Sequence, residues 1–147
     1  MKSNRAGVSR HREMLESLRK IRDAMRSPYD PNPRRRRDVV RFLAQRRSRS
    51  HEEWHREFAV ERGIPLSFVA WYRDTCSKYF GYDLSAAVPD DKLVEDLGFG
   101  DATWGDADWD ILEQYEAEFD GKRPPLENVT TFGHFLEALW TQARKDG

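Results

Sequence analysis

His51 and His55 stand four residues apart in a segment that reads HEEWH, which has the H-E-x-x-H spacing of a zinc metalloprotease helix. At this spacing both imidazoles would share one helix face, and Glu52 could act as a general base. The surroundings argue against a metal site, because His51 falls in the first turn of the predicted helix and neighbouring arginines would repel a dication. We therefore expect an exposed helix start whose buried side carries Trp54 and Phe58.

The densest basic cluster is a run of four arginines followed by a fifth: Arg34, Arg35, Arg36, Arg37 and Arg41. On a helix, several of these residues share one side and could track phosphate groups with an affinity that falls as salt rises. No aromatic or glycine pattern of a known nucleic-acid-binding module accompanies the run. Binding to nucleic acid or another anionic surface is therefore an alternative to a helix face that is solvated or paired within the chain.

The charge is divided unevenly along the chain. Residues 1–50 hold 16 Lys and Arg against 5 Asp and Glu, a net charge of +11. Residues 51–147 hold 9 against 21, a net charge of −12. The two parts can attract each other within one chain or between copies, or the basic part can attract an anionic partner.

Composition limits the class of protein. A chain of 147 residues, 38% hydrophobic and 35% charged, can bury a modest core, and its 18 aromatic residues argue against wholesale disorder. The single cysteine, Cys76, excludes an internal disulfide and suits a reducing compartment. No apolar run approaches the ~20 residues of a membrane span, and no apolar segment follows the basic N-terminus as in a secretory signal. We expect a cytoplasmic protein.

The spacing of apolar residues predicts helices in the first half of the chain. One is predicted over 9–26, followed by a proline-rich linker at 27–33. A second is predicted over 35–47, with these residues on its apolar side: Val39, Val40, Phe42 and Leu43. Ser50 and Glu53 have the spacing of a capping box, which predicts a third helix that ends at Gly63.

The second half also has helical spacing. A helix is predicted over 66–80 with Gly81 behind it, and the long connector after it is expected to be fixed to the core by Leu84, Val88, Leu93, Val94 and Leu97. A helix over about 108–119 would turn these residues inward: Trp109, Leu112, Tyr115 and Phe119. Pro124 and Pro125 predict a turn or a helical stub, and Thr131 would cap the last helix.

Three short runs occur in an order that points to a known family: LVEDLG at 93–98, EAEFD at 116–120 and VTT at 129–131. In order and rough spacing they resemble the acyl carrier protein family, over about residues 66–143. The resemblance implies a four-helix bundle, with its long loop over 82–106 and a short third helix over 124–128. The bundle would occupy 66–147, and 1–65 would be a basic helical extension.

The residue that defines a carrier in that family is missing from the expected place. The family attaches phosphopantetheine to a serine at the start of its second helix. That slot falls near Asp101 counted forward from Gly98, and at Gly105 counted backward from Glu116. Neither position has a hydroxyl, and Thr103 lies between flanks that do not match the motif. We therefore expect no phosphopantetheine, no other cofactor, no metal and no catalysis, with a displaced attachment site as an alternative.

In that family, the acidic side of the second helix meets basic surfaces of partner enzymes. The corresponding acids here are Asp108, Asp110, Glu113, Glu116 and Glu118. The resemblance implies a non-catalytic module that docks an unidentified, basic protein partner, with the charges governing rate and selectivity; the alternative is a solvated helix face. Trp104 is a further candidate docking residue, although we expect its indole to pack into the bundle because an aromatic ring buries a large apolar area.

Overall fold

The computed structural model describes residues 30–146, and every regular element in that range is a helix. The elements are α1 (Pro33–Ala44), α2 (His51–Trp54) with a π-helical continuation (His55–Ala59), α3 (Leu66–Phe80), α4 (Ala107–Phe119) and α5 (Phe132–Asp146). The predicted all-α class is confirmed for these residues. The helix predicted over 9–26 lies outside the described residues, as does the start of the proline-rich linker. None of the described helices combines the length and apolar character that crossing a bilayer requires.

Helix α1 begins two residues earlier than predicted, because Asn32 caps it. The Asn32 side chain accepts a hydrogen bond from the Arg35 amide at 3.1 Å, and Pro33 occupies the first turn, where no amide donor is needed. The helix ends at Ala44 rather than at residue 47. Local capping chemistry therefore sets the bounds of this helix.

Only part of the predicted apolar side of α1 is buried. Val39 and Leu43, four residues apart, point into the core. Val40 and Phe42 are 43% and 39% exposed, so their predicted burial was wrong. At 3.6 residues per turn they flank the stripe made by Val39 and Leu43, and the packing of the core against this stripe leaves them at its edges.

The capping box that opens α2 is confirmed. The Ser50 hydroxyl accepts from the Glu53 amide at 3.1 Å, and the Glu53 carboxylate accepts from the Ser50 amide at 3.0 Å. After one turn the helix widens into the π-helical segment before the chain turns at Gly63. Helix α3 has the predicted bounds, and Gly81 ends it in the left-handed conformation with a φ of 81°.

The connector from 82 to 106 is irregular but largely anchored to the core. Leu84, Leu93 and Leu97 are buried as predicted. Val94 is 53% exposed, so its predicted burial was wrong. The Leu93 amide donates to the Thr130 carbonyl at 2.9 Å, which fixes Leu93 inward and leaves its neighbour outward.

Gly98, in the turn of this connector, lies where α1 packs against it. Its φ is +73°, and a Cβ atom would lie 2.5 Å from Cβ of Ala102 and 2.8 Å from Cγ2 of Val39. A larger residue would meet both a strained backbone and a steric clash. The glycine therefore permits the close approach of α1 to the loop that precedes α4.

No helix forms between 120 and 131; the chain there makes a turn at 127–128. Pro125 disfavours a helical conformation for Pro124, and neither proline supplies an amide donor. The short third helix implied over 124–128 is therefore wrong. The Thr131 cap of α5 is confirmed, because its hydroxyl accepts from the His134 amide at 3.1 Å.

One hydrophobic core joins the two parts of the described chain. Val39 and Trp54, from before residue 65, are buried in the same cluster as Val69, Leu112 and Leu136. Ion pairs also connect the basic and acidic parts: Arg35–Asp101, Arg46–Asp91, Arg47–Glu53 and Arg49–Glu57. Part of the charge asymmetry is therefore neutralised within the fold.

Candidate functional site

The acidic helix α4 is held firmly by its buried side. Ile111 is fully buried, and the Tyr115 hydroxyl donates to the Leu139 carbonyl of α5 at 3.1 Å. From α3, the Tyr79 hydroxyl donates to the Gln114 side chain at 3.2 Å. The outward side of α4 is therefore presented on a fixed scaffold.

Trp109 lies on that outward side, 55% exposed, so its predicted place in the core was wrong. The buried stripe of α4 runs through Ile111, Leu112 and Tyr115. Trp109 lies about 110° around the helix from the centre of this stripe, at about 100° per residue. An indole of this size in water is the largest exposed apolar group on the helix.

The exposed indole is not isolated. The Arg123 guanidinium carbon lies 3.9 Å from the centroid of the Trp109 ring, and the same guanidinium pairs with the Glu116 carboxylate at 3.1 Å. Cation–π attraction and the ion pair together hold Trp109, Arg123 and Glu116 as one surface cluster. Arg123 is seven residues after Glu116, but α4 ends at Phe119 between them, so helical spacing does not predict this contact.

We call the outward stripe formed by four residues the acidic face: Trp109, Glu113, Glu116 and Asp120. These positions follow steps of four, three and four residues, which place them on one side of a helix. Asp120, which the sequence interpretation did not select, ends α4 with a left-handed backbone at φ 49°. Its distance of seven residues from Glu113, or about two helical turns, is the feature of the sequence that could have placed Asp120 on this face.

Three predicted docking acids lie off this face. Asp108 and Glu118 are exposed but stand about 140° around the helix from Glu113, at 100° per residue. The Asp108 carboxylate accepts from the Trp109 amide at 2.8 Å, beside the positive end of the helix. Asp110 is half-buried. Of the five predicted acids, the fold therefore places Glu113 and Glu116 together beside Trp109.

The turn before α4 offers no exposed hydroxyl at the expected attachment slot. Thr103 is fully buried; its hydroxyl accepts from the Gly100 amide at 2.9 Å and donates to the Trp104 carbonyl at 3.1 Å. Asp101 is exposed and pairs with Arg35 at 3.4 Å. Trp104 is half-buried, so its indole is neither fully packed into the fold, as expected, nor fully exposed for contact.

Two of the five clustered arginines have structural roles. Arg35 donates to the carbonyls of Val94 and Glu95 in the connector. Arg36 donates to the carbonyls of Phe80 and Gly81, which the end of α3 leaves without amide partners. These two guanidinium groups join α1 to the rest of the fold.

The other three arginines, which we call the arginine strip, face solvent: Arg34, Arg37 and Arg41. Their spacing of three and four residues aligns them along α1, opposite its buried stripe. Within the described residues none of them has an ion pair or hydrogen bond. Of the five arginines in the predicted basic patch, two therefore bond α1 to the rest of the fold, as buttressing residues, and three face outward.

The two histidines of the HEEWH segment do not converge on one point. His51 accepts from Arg73 at Nδ1 and bonds Asp74 at Nε2, whereas Nε2 of His55 lies 2.8 Å from the Ile64 carbonyl. Among residues 30–146, no three His, Cys, Asp or Glu side chains are grouped to hold a metal. Both imidazoles are engaged by neighbours in the fold.

Arg73 and Cys76 show how α3 uses buried polar groups. Arg73 is 2% exposed, and it donates to the carbonyls of Arg49 and Ser85 at 2.8 Å each; its burial lowers the pKa of the guanidinium. Burial raises the pKa of the Cys76 thiol well above its usual range, so it is not a thiolate nucleophile. The role of Arg73 was not predicted, since an arginine on an apolar stripe gives no signal in the sequence.

Compared with protein-family models, curated proteins and solved structures, the chain matches none.

Proposed function

We propose that this protein is a non-catalytic interaction module that docks a basic protein partner through the acidic face of α4. The observation that carries the proposal is Trp109, more than half exposed and flanked by Glu113 and Glu116. Interface hot spots are enriched in tryptophan, since one indole buries a large area at little conformational cost. Arg123 stacks on the ring and limits its motion before any partner arrives.

The charges of the acidic face supply the second element of docking. Glu113 has no ion pair or hydrogen bond within the described residues, so its charge is available to a partner. Exposed charges of one sign raise the rate of encounter with an oppositely charged surface and suppress like-charged partners. A partner with a basic surface and an apolar pocket fits both elements.

We further propose that the fold is related to acyl carrier proteins but has no phosphopantetheine arm. The order of α3, a long connector, α4 and α5 supports this relation. The missing third helix and the packing of α1 and α2 into the same core are departures from the family pattern. The lack of an exposed hydroxyl between 98 and 106 supports a module without an arm.

The two alternatives have less support. A displaced attachment site at Thr103 would require the turn to open, because the hydroxyl is buried and hydrogen-bonded on both sides. Nucleic-acid binding would depend on the arginine strip alone, because Arg35 and Arg36 are engaged in the fold. Three aligned charges support a short phosphate contact with a shallow dependence on salt.

Photo-crosslinking tests the docking proposal. A benzophenone amino acid at position 113 should capture a protein in an extract of the producing cells, and Trp109→Ala in the same chain should abolish the capture. The matched control places the probe at position 118, which lies on the same helix but off the acidic face. Equal capture from both positions, or capture that survives Trp109→Ala, would contradict the proposal.

Intact-mass analysis after incubation with a phosphopantetheinyl transferase tests the lack of an arm. The expected result is an unmodified mass, because the residues of the expected slot carry no accessible nucleophilic hydroxyl. A mass increase of roughly 340 Da, that of one phosphopantetheine group, would contradict this part of the proposal.

A further inference from the structure

A groove runs along one flank of α1, beside the arginine strip. Apolar groups from the helix and the connector line most of a volume of about 150 Å³, together with two serines and Asp83; the apolar groups belong to Val40, Leu43, Ala44, Tyr82 and Ala86. Val40 is 43% exposed there, although valine is normally buried. The surface on this side of the molecule therefore combines an apolar hollow with a row of unpaired positive charges.

The arginine strip and the three acids of the acidic face match each other in length and in spacing. Arg34 to Arg41 and Glu113 to Asp120 each span seven residues, or about 10.5 Å along a helix at 1.5 Å per residue. If the two helices lie antiparallel, Arg41 stands opposite Glu113 while Arg34 stands opposite Asp120. Opposite charges then meet at both ends of the two stripes, whereas Glu116 between them already pairs with Arg123.

The apolar groups fall into the same register. In that antiparallel arrangement, Trp109 lies four residues beyond Glu113 and reaches the end of α1 where Ala44 borders the groove. An indole is a large, flat apolar group, and the groove beside Ala44 offers it apolar contacts. The parallel arrangement would put Trp109 beyond Pro33, away from the groove.

We propose that the partner of the acidic face is a second copy of this chain, whose arginine strip pairs with the acids and whose groove receives Trp109. This inference rests on the proposed docking function and names its partner. The contact joins two different surfaces, so a pair of copies keeps one free acidic face on one copy and one free arginine strip on the other. Such head-to-tail contacts build rings or open chains of copies.

Charge-swap complementation in the full-length protein tests the pairing. Sedimentation velocity over a concentration series up to about 1 mM should show self-association of the wild type. Arg41→Glu alone and Glu113→Arg alone should each weaken it at least about tenfold, since each places like charges opposite each other. An equimolar mixture of the two variants should restore it to within about threefold, because each contact between unlike variants again joins opposite charges.

Trp109→Ala should weaken self-association about tenfold or more without changing its salt dependence, because it removes the apolar contact and leaves the charges. Thermal melting of each variant checks that it is folded, and all three positions are exposed. A wild type that remains monomeric at every concentration would overturn the inference. The arginine strip would then have another occupant, such as a single-stranded oligonucleotide or a segment of its own chain. Association that single swaps leave unchanged would also overturn the inference.

The crosslinking result separates this inference from the proposed function. If position 113 captures a different basic protein while the chain is monomeric, docking stands and the second-copy inference fails. If position 113 captures no protein at all, the docking function itself fails. If position 113 captures a second copy of this chain, and that capture is lost when the second copy carries Arg41→Glu, both the docking function and the second-copy inference are supported.

Discussion

Helices α1 and α4 carry opposite charges but use them in different ways. In α1, two of five arginines turn inward and donate to carbonyls of the connector and of the α3 end. In α4, the buried stripe is apolar with one hydrogen-bonded tyrosine, and the acids remain at or near the surface. A long side chain with several donors can reach carbonyls from a partly buried position, whereas a short carboxylate cannot. The position relative to the buried stripe therefore decides which charges stabilise the fold and which stay available to partners.

The largest expected effect separates the inner and outer sides of α4. Ile111→Ala should lower the free energy of unfolding by about 3 kcal/mol, because it leaves a cavity in the core. Trp109→Ala should cost only about 0.5 kcal/mol, from the lost contact with Arg123. Urea denaturation of both variants measures the difference. Equal losses would show that Trp109 is part of the core.

The next effect separates inner and outer arginines of α1. Arg36→Ala should lower the free energy of unfolding by about 2 kcal/mol, since it removes charged hydrogen bonds to the carbonyls of Phe80 and Gly81. The neighbouring variant Arg37→Ala should stay within about 0.5 kcal/mol of the wild type. Urea denaturation again gives both values. If the two variants lose the same stability, the division between buttressing and outward arginines is wrong.

A smaller effect compares how the two helices begin. Asn32→Ala should cost about 1 kcal/mol, because the Asn32 side chain caps the Arg35 amide. At the start of α4, the side chain of Asp106 makes no capping bond, and its Oδ1 is buried without a partner. Asp106→Ala should therefore change the free energy of unfolding by less than about 0.5 kcal/mol. The variant loses the favourable interaction of the carboxylate with the helix dipole, but it also removes a buried oxygen that has no hydrogen-bond partner. Thermal melts rank the two, and a larger loss for Asp106→Ala would contradict this explanation.

The smallest expected effect is in how stability depends on pH, which should differ between a paired carboxylate, Glu53, and an unpaired one, Glu113. The pKa of Glu53 lies below its ordinary value. The main cause is the hydrogen bond that its carboxylate accepts from the Ser50 amide, and the second is its contact with Arg47. A lowered folded-state pKa contributes stability at neutral pH that is lost as pH falls through that value. Glu53→Gln should therefore be destabilising at pH 7, with the difference vanishing in acid. Glu113→Gln, the control, should leave stability at pH 7 unchanged.

Local patterns in the sequence predicted much of the fold. The bounds of α3, the capping box at Ser50 and the Thr131 cap were all confirmed, because each depends on chemistry within four residues. Val94 lies in the irregular connector, where the backbone hydrogen bond of Leu93 leaves it outward, whereas the errors at Val40 and Trp109 share one cause. A hydrophobic residue next to a buried stripe fits the helical period almost as well as the stripe itself, so tertiary packing decides which is buried.

The candidate site was predicted less well, for a physical reason. The acids of α4 were identified as a set, but their division into an acidic face and side positions depends on where the core lies. The cluster of Trp109, Arg123 and Glu116 depends on how the chain returns after α4, which no local pattern encodes. The internal use of Arg35 and Arg36 likewise required the position of the connector.

The buried Arg73 has a consequence for how the molecule opens. Its guanidinium joins α3 to the carbonyls of Arg49 and Ser85, and the Arg49 amide itself donates to Ser85 at 3.0 Å. Releasing either carbonyl segment alone would remove a charged hydrogen bond from a buried guanidinium, which is costly. We therefore expect the segment that precedes α2, the first part of the connector and the middle of α3 to open as one cooperative unit, so that their amide hydrogens exchange with solvent together.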